Sequence, residues 1–301
     1  MSESSKRNPT LNAAARTLFD GAQRAFEQRD DAGAERLGEK LGRLVYRFDR
    51  KHRERTHANL RLAYPEASQS WIDSTAQGVF LHFGRVLGDF MRSKVRTIDG
   101  VLATTAVEGK EIIDRYPPGT AIIAATAHMG NWERFGHWCT AIGRPISVVA
   151  RDADDGEIQR RVDALRASTG LEVLSRGNAA RASLKALKEG KVLGLLPDQN
   201  GDECFVPFFG LPTGHTLGPA VLHKRTGAPL IPAFCVREGV GKYRVIVLEP
   251  IDPSGEGDSV AVTAEVAASL ESVIRRYPEQ WLWMHDRWKS SRQRGMLPEL
   301  R

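Results

Sequence analysis

The sequence predicts an α/β protein in which a largely parallel sheet is flanked by helices, with an additional helical layer at the N-terminal end. From about residue 103 onward, short apolar runs alternate with amphipathic segments, an order typical of a parallel sheet covered on both faces. Before that point the apolar residues recur at the helical period. We therefore expect a helical layer over residues 1–98, which is also the candidate for membrane association, and an α/β domain over residues 99–301.

Two helices stand out in the N-terminal layer, separated by Pro65. The first carries an apolar stripe with arginines on the opposite face, formed by Leu37, Leu41, Leu44, Val45 and Phe48. Gly38 and Gly42 weaken this helix, although close packing against a neighbour would explain them. The second helix follows a capping-box pattern at 70–73 and also has a clear apolar stripe, formed by Ala76, Val79, Phe80, Phe83, Val86, Leu87 and Phe90.

The α/β domain divides into seven strands and five helices. The strands are predicted at 103–107, 120–126, 146–150, 171–174, 192–196, 229–236 and 243–248. The helices are predicted at 130–142, 155–168, 179–189, 216–226 and 258–276.

The charge of the chain is concentrated in one segment. The protein has 301 residues and a formal net charge of +6. Residues 40–63 hold eight lysines and arginines against two acidic residues, so this segment alone accounts for a net +6. A second basic patch lies at 287–301. Such surfaces bind nucleic acid, anionic lipid headgroups or acidic proteins, although a solvated helix face is the equally simple interpretation.

The remaining composition indicates a globular protein of a reducing compartment. The three cysteines, Cys139, Cys204 and Cys235, are widely spaced and form no disulfide framework. The first residues are polar and lack the apolar stretch of a secretory signal. No uncharged apolar run approaches the roughly 18 residues that span a bilayer. We expect a soluble or peripheral protein.

The strongest candidate for chemistry is the pair His128 and Glu133, which directly follows the predicted strand at 120–126. Polar groups at the carboxyl end of such a strand are where α/β proteins usually place their active sites. Glu133 would take the proton of one imidazole nitrogen, leaving the other to accept a proton from a substrate hydroxyl. The alternative is structural: His128 caps the helix and Glu133 favours the positive end of its dipole.

Two other chemistries find little support in the sequence. His128, Glu133 and His137 do not have the spacing of a known zinc motif, so we expect no metal. Cys139 and Cys235 fall within predicted core elements, and Cys204 has no identifiable histidine partner. A cysteine nucleophile is therefore not expected.

The loop at 197–210 follows another predicted strand and should share the same sheet edge. Asp198 and Gln199 would project there, and Phe208 and Phe209 are candidates to line an apolar slot for a chain-like ligand. A buried strand packed on the core is the equally supported alternative.

Two arginines and one helix N-terminus are candidates for binding an anion. Arg151 and Arg166 flank an acidic helix and could hold phosphate, although surface arginines are common. The segment at 210–218, which includes Thr216, precedes a helix whose N-terminus could bind an anion, or simply forms a loop and cap.

Several motifs together resemble one known family. His128, Asn131, Trp132 and Glu133 are similar to the catalytic motif of the bacterial lipid A biosynthesis acyltransferases, of the lauroyl and myristoyl type, within the lysophospholipid acyltransferase superfamily. The resemblance extends in order through the chain, over the segments 59–65, 166–170, 196–199, 208–218, 226–229 and 277–289.

The resemblance implies transfer of a fatty acyl chain from an acyl-carrier-protein or CoA thioester to a hydroxyl of a membrane glycolipid. It implies His128 as general base with Glu133 as its orienter, direct attack on the thioester and no cofactor. Backbone donors or a basic side chain would stabilise the oxyanion. The substrate-binding candidates, some of them matching family motif positions, are Asn131, Arg151, Arg166, Asp198, Gln199, Phe208, Phe209 and Thr216.

Family members usually begin with a membrane helix, whereas this chain has charged amphipathic helices. We therefore expect peripheral attachment to the cytoplasmic face of the inner membrane through the basic segment and anionic lipid. The alternatives are an acyltransferase for a phospholipid or a mannoside glycolipid, a thioesterase, and a non-catalytic membrane or nucleic-acid module. No nucleic-acid motif is evident, so nucleic acid is not an expected partner.

Overall fold

The computed structural model describes residues 9–150 and 156–298 and shows an α/β fold built on a seven-stranded sheet. Its seven strands are the seven that the sequence predicts, each within a few residues. They are β1 (Thr105–Glu108), β2 (Ile122–Ala125), β3 (Ile146–Ala150), β4 (Glu172–Ser175), β5 (Val192–Leu195), β8 (Leu230–Gly239) and β9 (Lys242–Val247).

The sheet has the order β1-β9-β8-β2-β5-β3-β4. Every neighbouring pair is parallel except β8 and β9, which form an antiparallel hairpin. All four residues of β2 are buried, as expected for a central strand covered by helices on both faces. The predicted fold class is confirmed.

Five helices of the α/β part also match the sequence prediction. They are α7 (Trp132–Ala141), α8 (Gly156–Ser168), α9 (Ala179–Lys188), α10 (Gly218–Thr226) and α11 (Ser259–Arg276). Three short helices were not predicted: α5 (Ile98–Ala103), α6 (Lys110–Asp114) and α12 (Lys289–Gln293).

A second, two-stranded sheet lies between β5 and α10 in the chain. It consists of β6 (Cys204–Phe208) and β7 (Leu211–His215), paired antiparallel. The two residues of its turn, Phe209 and Gly210, both have positive φ, at 53° and 73°. Two-residue hairpin turns of this handedness follow the twist of the strands. The sequence predicts a loop over 197–210 with a buried strand packed on the core as the alternative, and β6 is such a strand.

The N-terminal layer contains α1 (Pro9–Glu27), α2 (Asp31–Phe48), α3 (Arg50–Ala63) and α4 (Gln69–Met91). Helix α4 begins slightly earlier than the capping-box pattern suggested, because the Ser68 side chain accepts a hydrogen bond from Trp71 N at 3.2 Å.

Helix α2 packs antiparallel on α4 through glycine. Gly38 faces the backbone of Gly84, and Gly42 faces the backbone of Phe80, so closely that a methyl group at either position would overlap a carbonyl oxygen. The glycines therefore have the close-packing role that the sequence allowed for. Their face of α2 is the buried one, and the leucine-rich stripe lies elsewhere on the helix.

The helical layer and the sheet share one hydrophobic core. Leu60 and Ile72 from the layer pack in the same cluster as Ile123 of β2 and Trp281 near the C-terminus. Within the described residues, no helix combines the length and apolar character required to cross a membrane.

Candidate active site

Two neighbouring parallel strands bring the candidate catalytic groups together. In the β2–β5 pair Ala125 lies opposite Leu195, and Thr126 N donates to Leu195 O at 2.8 Å. His128 and Asp198 each follow three residues beyond this last register pair. Because parallel strands end at the same edge of the sheet, the two side chains meet although 70 positions separate them.

Asp198 binds His128 twice. Its Oδ1 lies 2.9 Å from His128 Nδ1, and its Oδ2 accepts the backbone N–H of His128 at 2.8 Å. Oδ2 also accepts the indole N–H of Trp281 at 2.9 Å. The carboxylate is 2% exposed, so these three donors replace the water that it would otherwise bind. The arrangement fixes Nδ1 as the protonated nitrogen and leaves Nε2 as the basic one.

The electrostatics favour a charged pair. Burial works against the imidazolium, but the charge and hydrogen bond of Asp198, with a smaller contribution from Glu133, raise the pKa of His128 above its ordinary 6.5. Burial likewise works against the carboxylate, but His128 holds the pKa of Asp198 below its ordinary value. A raised pKa makes Nε2 a stronger base and stabilises the imidazolium that forms when it takes a proton.

Glu133 does not occupy the place that the sequence hypothesis gave it. It lies in the first turn of α7, and its carboxylate accepts hydrogen bonds from Arg166, from Nη2 at 2.6 Å and from Nε at 3.1 Å to each oxygen. The imidazole proton is instead accepted by Asp198. The reason is topological, because the end of β5 faces the His128 loop, whereas Glu133 meets α8, which carries Arg166.

The Glu133–Arg166 pair lies close to the imidazole all the same. Both charges act on the pKa of His128, Glu133 raising it and Arg166 lowering it. The Arg166 guanidinium also lies 6.0 Å from the ring centroid of Phe90. Burial opposes the charge of Arg166, but its bonds to Glu133 raise the guanidinium pKa. A fixed cation is thus held beside the candidate base.

Among the residues that the structure describes, Gln199 and Trp132 lie beside the open side of His128. Gln199 Nε2 lies 3.5 Å from His128 Nε2, too long for a strong hydrogen bond, and the side chain of Gln199 is exposed. The Trp132 ring packs edge-on to the imidazole at 5.4 Å. About a quarter of the His128 side chain remains accessible, so a hydroxyl can approach Nε2.

Asn131 lies within the protein rather than on this open side. Its Oδ1 caps α7 by accepting Arg134 N at 2.9 Å, and its Nδ2 donates to Asp89 Oδ2 at 2.8 Å. Asp89 in turn pairs with Arg96. The position of Asn131 next to His128 and its full burial indicate that it orients the start of α7.

The aromatic candidates lie in the closed core. Phe208 is fully buried and Phe209 is 6% exposed, and both pack against Trp281 and Trp288. The hairpin turns both rings inward, which is the packing that the core alternative describes. A ligand slot lined by these two residues stays a prediction.

Thr216 and Arg151 complete the predicted set. The Thr216 hydroxyl donates to Glu203 at 3.0 Å and accepts Gly218 N at 3.3 Å, so its contacts secure the entry to α10. Arg151 lies outside the described residues.

The family model for bacterial lipid A biosynthesis acyltransferases matches residues 30–290, which include His128, Asp198 and Trp281. The chain belongs to this family.

Among curated relatives of this acyltransferase family member, a phosphatidylinositol mannoside acyltransferase of Mycolicibacterium smegmatis is 31% identical over 56% of the chain. One from Mycobacterium tuberculosis is 29% identical over 61% of the chain. These alignments span 57% and 59% of the two relatives, so somewhat more than half of their length is matched. A lipid A biosynthesis lauroyltransferase of Escherichia coli is 28% identical over 85% of each chain.

Sequence reasoning gave no role to several residues that support the site of this acyltransferase family member. The C-terminal segment runs beside the His128 loop: Leu282 N donates to His128 O at 3.1 Å, and Gly130 N donates to Gln280 O at 2.8 Å. Trp281 belongs to this C-terminal segment. Its indole was the sequence signal that could have indicated a role, since a buried indole N–H needs a hydrogen-bond acceptor.

Arg287 is the second support that was missed. It is fully buried and donates to Gly214 O at 2.6 Å and Gln199 O at 3.2 Å. Its Nη2 also lies 2.6 Å from a ring nitrogen of His215. Burial and the nearby guanidinium lower the pKa of His215 to about 2, so this histidine stays neutral. Arg287 thereby ties the β6–β7 hairpin to the loop that carries Asp198.

The cysteines offer no rival nucleophile. All three are buried. Burial raises the pKa of the Cys139 thiol and raises that of Cys235 to about 12. Thiols of this kind are inert at neutral pH, because the thiolate is the nucleophilic form.

Proposed function

We propose that this protein is an O-acyltransferase that moves a fatty acyl chain from a thioester to a hydroxyl of a membrane glycolipid. The observation that carries the proposal is the buried Asp198 carboxylate, which holds His128 through Nδ1 and leaves Nε2 beside the exposed side chain of Gln199. Membership of the lipid A acyltransferase family supports the reaction class.

The reaction begins at His128 Nε2. This nitrogen takes the proton of the acceptor hydroxyl, whose oxygen attacks the thioester carbonyl. Asp198 holds the proton on Nδ1 and stabilises the imidazolium, the role that the sequence hypothesis had given to Glu133. Collapse of the tetrahedral intermediate forms the ester and releases the carrier thiol, which receives the proton from the imidazolium. No group of the enzyme is acylated.

Glu133 and Arg166 have a different task in this proposal. Glu133 binds one edge of the Arg166 guanidinium through Nε and Nη2 and leaves its other edge for a substrate anion. The anion is the thioester oxygen as it gains charge, or a phosphate of either substrate.

The acceptor is a glycolipid of the lipid A type or a mannoside glycolipid, in keeping with the names of the relatives. The donor is an acyl-carrier-protein or CoA thioester. The site is proposed to work at the cytoplasmic face of the inner membrane, with the protein attached peripherally.

The test is transfer by purified protein in mixed micelles, with acyl-carrier-protein and acyl-CoA each offered beside a lipid A precursor and a phosphatidylinositol mannoside. Mass spectrometry should detect an acceptor heavier by one acyl chain. His128→Ala should lose at least a hundredfold in rate and remain folded, with a lower melting temperature because the buried Asp198 carboxylate loses the imidazole as a donor. Wild-type turnover by a folded His128→Ala protein would contradict the mechanism, and release of free fatty acid regardless of acceptor would indicate a thioesterase.

A further inference from the structure

Helix α2 presents three different faces. Its buried face is made of small residues and one carboxylate: Ala34, Glu35, Gly38 and Gly42. With glycine at the contact points, the helix packs tightly on α4 without using its large apolar side chains. Those side chains are therefore available for something else.

The second face is an apolar ridge on the protein surface. We define the apolar ridge as Leu41, Leu44, Val45 and Phe48. Phe48 is 70% exposed and Leu44 is 54% exposed, and the other two are also exposed. Single exposed apolar side chains are ordinary, but four within two turns on one flank of a helix form a continuous patch.

The third face is cationic and adjoins the apolar ridge. We define the cationic flank as Arg36, Lys40, Arg43 and Arg47, all of which are exposed. Arg43 has one loose contact with Glu39 at 3.5 Å. Within the described ranges, no carboxylate lies within ion-pair distance of Lys40 or Arg47. The positive charge is therefore directed to solvent rather than neutralised by the fold.

We propose that α2 is a membrane-docking helix that lies in the interface of an anionic lipid bilayer, with the apolar ridge among the acyl chains and the cationic flank against the headgroup phosphates. An apolar face beside a lysine- and arginine-rich face is the pattern that inserts into such an interface. A purely acidic protein partner would engage the cations and leave the apolar ridge in water. A bilayer satisfies both faces at once.

The docking face is on the same side of the molecule as the approach to His128. The ion pair between Glu39 of α2 and Arg85 of α4, at 2.8 Å, marks one flank of the antiparallel α2–α4 pair. Helical residues two positions apart point about 200° apart, so Leu41 and Phe83 lie on the opposite flank.

From that flank an aromatic path leads to the site. The ring of Phe83 lies 6.0 Å from that of Trp132, which lies 5.4 Å from the imidazole of His128. A bilayer bound at α2 would thus lie on the flank from which these rings lead to the imidazole of His128. This relation to catalysis rests on the proposed function, whereas docking itself does not.

The experiment is co-sedimentation of the full-length protein with vesicles, in the absence of donor and acceptor. Vesicles of phosphatidylglycerol and phosphatidylethanolamine should bind the protein, and added salt should weaken binding because it screens the charges. Leu44→Ser with Phe48→Ser should reduce the vesicle partition coefficient at least tenfold. The matched control is Val240→Ser with Val260→Ser, two exposed valines in the β8–β9 turn and in α11, which should bind as wild type.

The cationic flank is tested separately. Arg43→Gln with Arg47→Gln should weaken binding about fivefold for each cation removed. Lys185→Gln with Lys188→Gln, two exposed lysines of α9, removes the same charge elsewhere and should have a smaller effect.

Three outcomes would overturn the docking proposal: wild-type vesicle binding by the Leu44/Phe48 variant, equal losses in the ridge variants and their controls, or a change from dimer to monomer on size exclusion in the ridge variant. The last would assign the ridge to a second copy of the chain. His128→Ala should still bind vesicles, so failure of acyl transfer and failure of docking are distinguishable.

Discussion

At the scale of single residues, the site depends on how one buried carboxylate is satisfied. Asp198 has three donors, two from His128 and one from Trp281. Each bond restricts the carboxylate, and the carboxylate restricts the imidazole. Because these groups act through one another, the effects of removing them on the rate are not additive.

The first prediction separates the two carboxylates near His128. Asp198→Asn removes the larger source of the raised His128 pKa, so the limb on which kcat/KM rises with pH should move to lower pH. The rate should fall about 10²- to 10⁴-fold, because the imidazole loses its orientation and the imidazolium loses its counterion. Glu133→Gln should shift the same limb in the same direction but by less.

The pH profile of kcat/KM is the measurement, and the control is Asp202→Asn, an exposed residue four positions after Asp198, which should leave the limb in place. A larger shift for Glu133→Gln than for Asp198→Asn would restore Glu133 as the orienter.

The second prediction concerns the indole that binds Asp198. Trp281→Phe keeps the ring packing but removes the hydrogen bond at 2.9 Å. We expect kcat to fall about tenfold with KM little changed, and stability to fall by about 1–3 kcal/mol. Trp283→Phe is the matched control, since Trp283 is equally buried but donates to Pro278 O at 2.7 Å. It should cost similar stability and leave kcat near wild type, and equal losses of kcat in the two variants would contradict the positioning role.

At the scale of elements, the packing of α2 on α4 shows how side-chain volume decides which face of a helix is buried. The apolar ridge has the stronger hydrophobic pattern, but the backbones approach closely only along Gly38 and Gly42. The helix therefore buries its glycine face against α4 and leaves the leucines Leu41 and Leu44 exposed. Sequence periodicity locates a helix well but does not report this choice.

The third prediction uses that contact. Gly38→Ala should destabilise the protein by about 1–3 kcal/mol, because the new methyl group overlaps the Gly84 carbonyl. Gly21→Ala in α1 is the control, for which we expect the opposite sign. Nothing lies within 4 Å of the new methyl group. Because alanine lowers the conformational entropy of the unfolded chain, this variant should be more stable than the wild type by up to about 1 kcal/mol. Urea unfolding followed by circular dichroism measures both, and equal effects would show that the glycine contact is not specific.

The secondary elements themselves were largely predictable. The central strands are continuous apolar runs, and the helices between them have clear stripes, so local composition specified β2, β5 and α7. The β6–β7 hairpin was missed because its turn uses Phe209 with φ of 53°, where a glycine or asparagine would have been the usual signal.

At the scale of the whole molecule, several buried histidines link stability to pH. Burial lowers the pKa of both His82 and His137 to about 4. His82 donates from Nε2 to Gly130 O at 2.9 Å, which joins α4 to the loop after His128. In the unfolded chain such groups titrate near 6.5, so below that pH the unfolded state binds more protons than the folded state.

The fourth prediction follows from this difference in proton binding between the unfolded and folded states. The contribution of these histidines to stability is fully present above pH 6.5 and is lost as pH falls towards about 4. The free energy of unfolding should therefore decrease from pH 7 to pH 5. His82→Gln should show a shallower decrease, because the variant keeps a donor near Gly130 but has no proton to gain. Urea titrations at both pH values are the measurement, and an unchanged slope would exclude His82 as a contributor.

The sequence by itself determined the order of strands and helices and the position of His128 at a strand end. These depend on local patterns: apolar runs, helical stripes and the polar residues that follow them. Tertiary structure alone decided that Asp198 is the partner of His128, that Glu133 binds Arg166, and that the apolar ridge of α2 stays on the surface. Each of these depends on which strands become neighbours and how closely two backbones approach, and such distances are fixed only when segments far apart in the chain pack together.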